Sequence, residues 1–115
     1  MHIENCTLRD EYLRDFLSAF RTNTIIKSLS LVNIMNMQKY LRLMFRSLKN
    51  NTTLEHLCLE ENEIDNYKYI NKLIRNNHFI HKLDIRGNYM NEEILEELWD
   101  SLKNNIELVE LFFDS

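Results

Sequence analysis

The sequence predicts an α/β solenoid: a short curved horseshoe with a parallel sheet on its concave side and helices on its convex side. Two observations predict this fold class. A short motif in which apolar residues alternate with others recurs about every 28 residues. Apolar residues at helical spacing follow each copy. Units of this kind bury their apolar faces against their neighbours. The 115 residues are therefore expected to form a single domain, 1–115, of about four repeat units.

The strand predictions rest on four copies of one apolar pattern. In each copy the first, fourth and sixth positions are apolar, and the copies start at Ile26, Leu54, Ile80 and Leu108. The last two apolar positions alternate with other residues, as in a short strand with one buried face. Because a helix separates successive strands, neighbouring strands should pair in parallel. The segment 2–4 is interpreted as the remnant of a fifth strand.

Helices are predicted near residues 9–22, 38–49, 66–75 and 92–103. Apolar residues recur there at positions that share one helix face, and this face includes Leu41 in the second helix and Trp99 in the last. The chain has one Gly and no Pro. Asn is therefore expected to supply turns and helix ends, since it tolerates a left-handed backbone and bonds nearby amides. The third unit is about two residues short between Ile64 and Tyr67, an irregularity expected in a loop.

The pattern resembles the leucine-rich repeat family, and specifically its long, helix-containing class found in ribonuclease inhibitor and in tropomodulins. Residues 54–64 and 80–90 carry the resemblance most clearly, because an Asn follows the strand at the family spacing. The resemblance implies that Asn62 and Asn88 bond backbone groups in the turn after the strand. Asn5 and Asn33 lie one residue early, so a continuous row of such Asn residues is not expected in the first two units.

Composition narrows the classes of function. The net charge of −4 argues against a dedicated nucleic-acid binder, because phosphate binding relies on clustered Lys and Arg. No apolar stretch is long enough to cross a bilayer, and the N-terminus lacks the pattern of a secretory signal. Cys6 and Cys58 form no dense cysteine framework, which favours a reducing compartment. We therefore expect a cytoplasmic protein that binds neither nucleic acid nor membrane.

Candidate chemistry centres on one pair of neighbouring strands. His56, Cys58 and Asp84 include ligand types that zinc accepts, but outward side chains beside Lys82 make a poor closed tetrahedral site. Cys58 with His56 as a base is a second possibility, yet an open sheet offers no evident oxyanion hole. We therefore predict no catalytic residue, no metal site and no cofactor. The chain is not expected to be an enzyme.

The residues that flank the strand leucines should project from the concave face in rows. Two interpretations stay open for these rows. They form either a solvated face of self-compensating charge or a surface that binds another protein. On the second interpretation, the predicted contact residues on this face are His56, Cys58, Glu60, Lys82, Asp84, Arg86, Glu110 and Phe112. Glu60, Arg86 and Asp114 should form a mixed-charge ladder across neighbouring strands.

A separate prediction concerns the convex side. Leu43 and Tyr69 are apolar at helix positions occupied elsewhere by Asp15 and Glu97, so they are predicted to be an exposed interface seed among basic residues. The alternative is local repacking around the shortened unit.

The leading function is non-enzymatic recognition of a partner protein through the concave face. The alternative is a structural or self-associating subunit of a larger assembly that uses the last strand at Phe112 and the convex helix surface, including a homodimer through that strand. The resemblance to tropomodulins adds actin as a possible partner.

Overall fold

The computed structural model describes residues 1–5 and 9–114, which form alternating strands and helices. Cys6 lies outside the described residues. The strands are β1 (His2–Glu4), β2 (Ser28–Val32), β3 (His56–Cys58), β4 (Lys82–Asp84) and β5 (Glu110–Phe112). The helices are α1 (Asp10–Ser18), α2 (Met37–Leu48), α3 (Lys68–Asn76) and α4 (Glu92–Leu102), and a 3₁₀ turn, Ala19–Arg21, follows α1. The four predicted helices are confirmed, with ends that differ by a few residues.

All five strands form one parallel sheet in the order β1-β2-β3-β4-β5. The register places Leu57 beside Leu29 on one side and Leu83 on the other. The segment predicted as a strand remnant is a full partner, since Ile3 pairs with Leu31. The sheet therefore has the predicted parallel pairing and register.

The core lies between the sheet and the helices. Leu29, Leu57 and Leu83 point into it from successive strands, and Leu41 meets them from α2. Burying each such leucine side chain contributes roughly 1.5–3 kcal/mol. The row of aligned leucines explains why the apolar pattern recurs, because a leucine from each unit packs against the leucines of the neighbouring units.

A row of asparagines, the Asn ladder, joins the turns that lead from helix to strand. Its members are Asn23, Asn51, Asn77 and Asn105. The Asn77 side chain donates to Leu48 O and Asn51 O, and its Oδ1 accepts from the amides of Phe79 and Ile80. Asn51 and Asn105 repeat this arrangement one unit before and one unit after. Asn51, Asn77 and Asn105 thus each hold their own turn and fasten it to the preceding unit, whereas Asn23 accepts from the amides of Ile25 and Ile26 in its own turn.

A second set of asparagines follows the strands. Asn62 donates to Leu31 O and accepts from the Ile34 amide, while Asn88 donates to Leu59 O and accepts from the Ile64 amide. Both side chains bond backbone groups, as expected. Asn88 also donates to Ile85 O and Arg86 O in its own turn, whereas the side-chain bonds of Asn62 go to the preceding unit. All of these partners are backbone groups, so the role is structural.

The early asparagines occupy a different column, in which the backbone is left-handed. The φ angles are 54° at Asn5, 52° at Asn33, 56° at Glu61 and 73° at Gly87. These residues are equivalent, because the amides of Asn5, Asn33 and Glu61 each donate to the carbonyl at the end of the next strand. Asn suits this column because it adopts φ > 0 more readily than most residues. At Gly87 an added Cβ would lie 2.7 Å from Glu61 Cγ, so the glycine also makes room.

The shortened third unit is visible in the strand register. Leu29 pairs with Leu57 at an offset of 57 − 29 = 28 residues, whereas Leu57 pairs with Leu83 at an offset of 83 − 57 = 26. The Gln38 side chain fastens the segment before α3, accepting from the amides of Asp65 and Asn66 and donating to Asn66 O. The irregularity therefore lies in the predicted loop.

Two predictions of burial are wrong. Trp99 was expected on a buried helix face, but it is 52% exposed. Within the described residues α3 is the one helix that contacts α4, so the α4 face that a further helix would cover in a central unit lies open. Val32 was expected to project from the concave face, but it is buried. No helix in the part of the chain that the structure describes is long and apolar enough to cross a membrane.

Candidate functional site

The concave face carries a charged cluster around Arg86, just after β4. The Arg86 guanidinium donates to both oxygens of Asp84, with Nη2 2.7 Å from Oδ2 and Nε 3.0 Å from Oδ1. The same Nη2 lies 3.5 Å from Glu60 Oε1. On its other side, Arg86 Cζ is 5.4 Å from the centre of the Phe112 ring. Arg86 thus joins β3, β4 and β5 across the face.

Asp84 and Arg86 stay ionised at neutral pH. Burial acts to raise the pKa of Asp84, but hydrogen bonds from Arg86 outweigh it and lower that pKa below the usual aspartate value. The Asp84 hydrogen bond in turn raises the pKa of Arg86.

The predicted mixed-charge ladder exists between Glu60 and Arg86. Asp114 does not join it, because its carboxylate accepts a hydrogen bond from the Gly87 amide.

Cys58 lies beside this cluster and is not arranged as a nucleophile. Its thiol donates to Glu60 Oε1 at 3.3 Å, and burial raises its pKa. A raised pKa leaves less thiolate, the reactive form. Ligand atoms of Cys58, Glu60 and Asp84 lie within 4.8 Å of one another, as a metal site would require. Both carboxylates, however, already neutralise Arg86, so the group is explained by its ion pairs.

A shallow depression of about 160 Å³ opens on the concave face among side chains of β2, β3, β4 and β5. The side chains that line it include Ser28, His56, Cys58, Lys82, Asp84 and Phe112. Lys82 Nζ at its border lies 3.3 Å from Glu110 Oε1. The register aligns six of the eight predicted concave residues on one surface. The other two, Glu60 and Arg86, join it through bonds to Cys58 and Asp84.

The two predicted convex residues are half-buried rather than exposed. The Tyr69 ring centre is 6.2 Å from that of Phe45, and the ammonium groups of Lys68 and Lys72 each lie 5.5 Å from the Tyr69 ring centre. Leu43 packs against the core and borders a groove lined by basic residues. Tyr69 is not among the residues that line that groove.

An apolar surface around β5 and α4 was largely missed from the sequence. Ile106 is 85% exposed and Val109 is 70% exposed, and Trp99 meets Phe113 edge-on with ring centres 6.4 Å apart. Ile106 and Val109 stand outside the repeated apolar positions. That departure from the register was the signal in the sequence.

Comparison with known proteins supports the fold. No family model matches the sequence, and no curated protein matches it. The solved structure of Leiomodin-1 Actin-Binding Site 2 (ABS2) is similar to this chain, with a TM-score of 0.82 and 20% sequence identity. The similarity covers 99% of this chain and 70% of that one. At this identity the likeness concerns the fold, and it confirms the α/β leucine-rich-repeat solenoid predicted from the sequence.

Proposed function

We propose that this chain is a protein-interaction module that binds a partner protein through its concave face. The observation that carries the proposal is the Arg86–Phe112 pair. Phe112 is 39% exposed and lies against a guanidinium that two carboxylates hold in place. Arg and aromatic side chains dominate binding energy at protein interfaces. Fixing Arg86 beforehand lowers the entropic cost of ordering it on binding.

An actin filament is the first partner to test. The structurally similar Leiomodin-1 fragment is named as an actin-binding site. Solenoids commonly use the concave surface created by their curvature to bind partners. We therefore propose actin recognition by the concave residues, with Phe112 as the apolar anchor and Arg86 as the charged one.

The test is co-sedimentation of the chain with actin filaments, together with a binding titration against monomeric actin. Phe112→Ala should weaken binding by about tenfold or more, as expected for an interface anchor. Phe79→Ala is the matched control, because Phe79 is 46% exposed and lies outside the concave rows. It should leave binding unchanged. No binding to either form of actin would eliminate this partner, and equal binding by both variants would eliminate Phe112 as an anchor.

A second candidate, self-association through β5 and α4, is favoured by a separate observation. Trp99, Ile106 and Val109 expose apolar surface next to β5, which is the last strand in the described sheet. An unpaired strand edge bordered by apolar groups invites another strand or a second copy. Sedimentation velocity over a range of concentrations tests this. The double variant Ile106→Asp/Val109→Asp should be monomeric where the native chain dimerises, and a native chain that stays monomeric throughout would refute the proposal.

A further inference from the structure

A basic groove runs along the convex side between α1 and α2, away from the concave face. Two open depressions of about 350 and 280 Å³ form it, and both are lined by Arg46. The basic side chains that line the groove are Arg14, Arg21, Lys39, Arg42, Arg46 and Lys49. The two depressions adjoin at Arg46, and together they follow the surface from Lys39 to Lys49.

Charge is balanced at one end of the groove and unbalanced along the rest. Asp10 accepts from Arg14 Nε at 2.7 Å and lies 3.3 Å from Lys39 Nζ. The other four cations, Arg21, Arg42, Arg46 and Lys49, make no ion pair within 4.0 Å to any carboxylate in residues 1–5 and 9–114. In a chain with a net charge of −4, this is a local reversal of sign.

The groove also has an apolar element. Leu43 is half-buried and lines the same depression as Arg42 and Arg46. The Lys49 ammonium lies 5.9 Å from the Phe45 ring centre, so its stem lies along the helix surface. A leucine beside unpaired cations suits a peptide, which can offer both carboxylates and apolar contact.

We propose that this groove binds an extended acidic segment of a partner protein. Arg42 and Arg46 are four residues apart on α2, which places them about 6 Å apart along the helix axis. Side chains on one face of an extended peptide repeat about every 6.6 Å, twice the rise per residue. Carboxylates at alternate positions of the segment therefore match the two arginines in turn.

Nucleic acid fits this groove less well than an acidic peptide. Single-strand binders combine cations with exposed aromatic rings on which bases stack. The aromatic residue that lines this groove, Tyr40, is 4% exposed. Four unpaired cations in a chain of net negative charge are also few for binding a phosphate backbone.

The experiment titrates the full chain into a fluorescein-labelled peptide of about eight residues that alternates Glu and Ser, followed by fluorescence anisotropy at about 50 mM salt. Arg42→Glu/Arg46→Glu should weaken binding by about tenfold or more. Arg75→Glu/Lys103→Glu changes the net charge equally at exposed cations on α3 and just after α4, and it should change binding by less than about twofold. A peptide that alternates Gln and Ser should not bind.

Several results would overturn the proposal. They are no binding by the native chain, equal loss in both double variants, or tighter binding to a single-stranded oligonucleotide or to anionic vesicles than to the peptide. Circular dichroism confirms that each variant folds. If Arg42→Glu/Arg46→Glu does not fold, Arg21→Ala/Lys49→Ala removes the other two unpaired cations without adding charge, and unchanged binding would then overturn the proposal. None of the three double variants alters Phe112 or Arg86, so the outcome is independent of the concave face.

Discussion

Single asparagine side chains link neighbouring units of this solenoid. Asn51 makes four hydrogen bonds to backbone groups, donating to Phe20 O and Asn23 O and accepting from the amides of Thr53 and Leu54. It is 4% exposed, so water cannot replace those bonds when the side chain is removed. Apolar burial alone therefore does not account for the stacking of the units.

Asn51→Ala should lower the free energy of unfolding by about 3 kcal/mol. Each buried backbone group left without a hydrogen-bond partner costs roughly 1–3 kcal/mol, and some of the four groups will form hydrogen bonds with new partners. Asn50→Ala is the control, since Asn50 is the exposed neighbour in the same turn. It should change stability by less than about 0.5 kcal/mol. Urea unfolding followed by circular dichroism measures both. Equal losses in the two variants would contradict the role assigned to the Asn ladder.

At the scale of the element, α1 is fastened to α2 by one carboxylate. Asp10, in the first turn of α1, accepts hydrogen bonds from the Tyr40 hydroxyl and from Arg14, and Lys39 lies close to it. Those hydrogen bonds, the one from Tyr40 first, lower the pKa of Asp10 to about 2. The carboxylate at a helix N-terminus is also favoured by the helix dipole.

The lowered pKa predicts a specific dependence of stability on pH. The folded chain binds a proton at Asp10 less readily than the unfolded chain does, so the contribution of Asp10 is fully present above about pH 5 and is lost as the pH falls toward 2. The difference in unfolding free energy between native and Asp10→Asn chains should shrink over that range. Tyr40→Phe, which removes the strongest donor, should shift the loss to higher pH. Urea titrations at pH 2.5 to 7 measure this, and a difference independent of pH would refute it.

The elements were predictable where the signal repeats. Four helices and the strand rows follow from apolar spacing, because each unit presents the same face to the core. The exposure of Trp99 could not be read in this way, since a position in a repeat does not reveal whether a neighbour covers it. The pairing of Arg86 with Asp84 instead of Asp114 was also missed. This pairing depends on the direction of the side chains and on the Gly87 amide, which donates a hydrogen bond to Asp114.

The use of Asn in turns and at helix ends was predicted from the sequence. The bonds of these Asn side chains to the preceding unit were not predicted, because local preference accounts for the turn alone. The left-handed column was missed for a similar reason. Gly87 and Glu61 share it despite having unlike side chains, so the shared backbone shape is hidden in the sequence.

At the scale of the whole molecule, stability should be graded along the stack. Each unit contacts its neighbours alone, so a unit with fewer buried side chains opens more easily. Helix α2 buries six residues, whereas the buried residues of α4 are Leu98 and Ser101. Strand β5 is half-buried or exposed along its length. The α4–β5 unit should therefore open before the centre of the stack does.

Native-state hydrogen exchange tests this gradient with equivalent amides. The Leu59 amide donates to Asp84 O in the centre, and the equivalent Ile85 amide donates to Phe112 O, a bond that lasts while β5 stays paired. Likewise the His81 amide donates to Glu55 O, and the Val109 amide donates to His81 O. After correction for intrinsic rates, Ile85 and Val109 should exchange about tenfold faster than Leu59 and His81. Equal protection at dilute protein would contradict the gradient. Protection of Ile85 and Val109 that rises with protein concentration would instead show that a second copy covers β5, because association stabilises the covered unit by mass action.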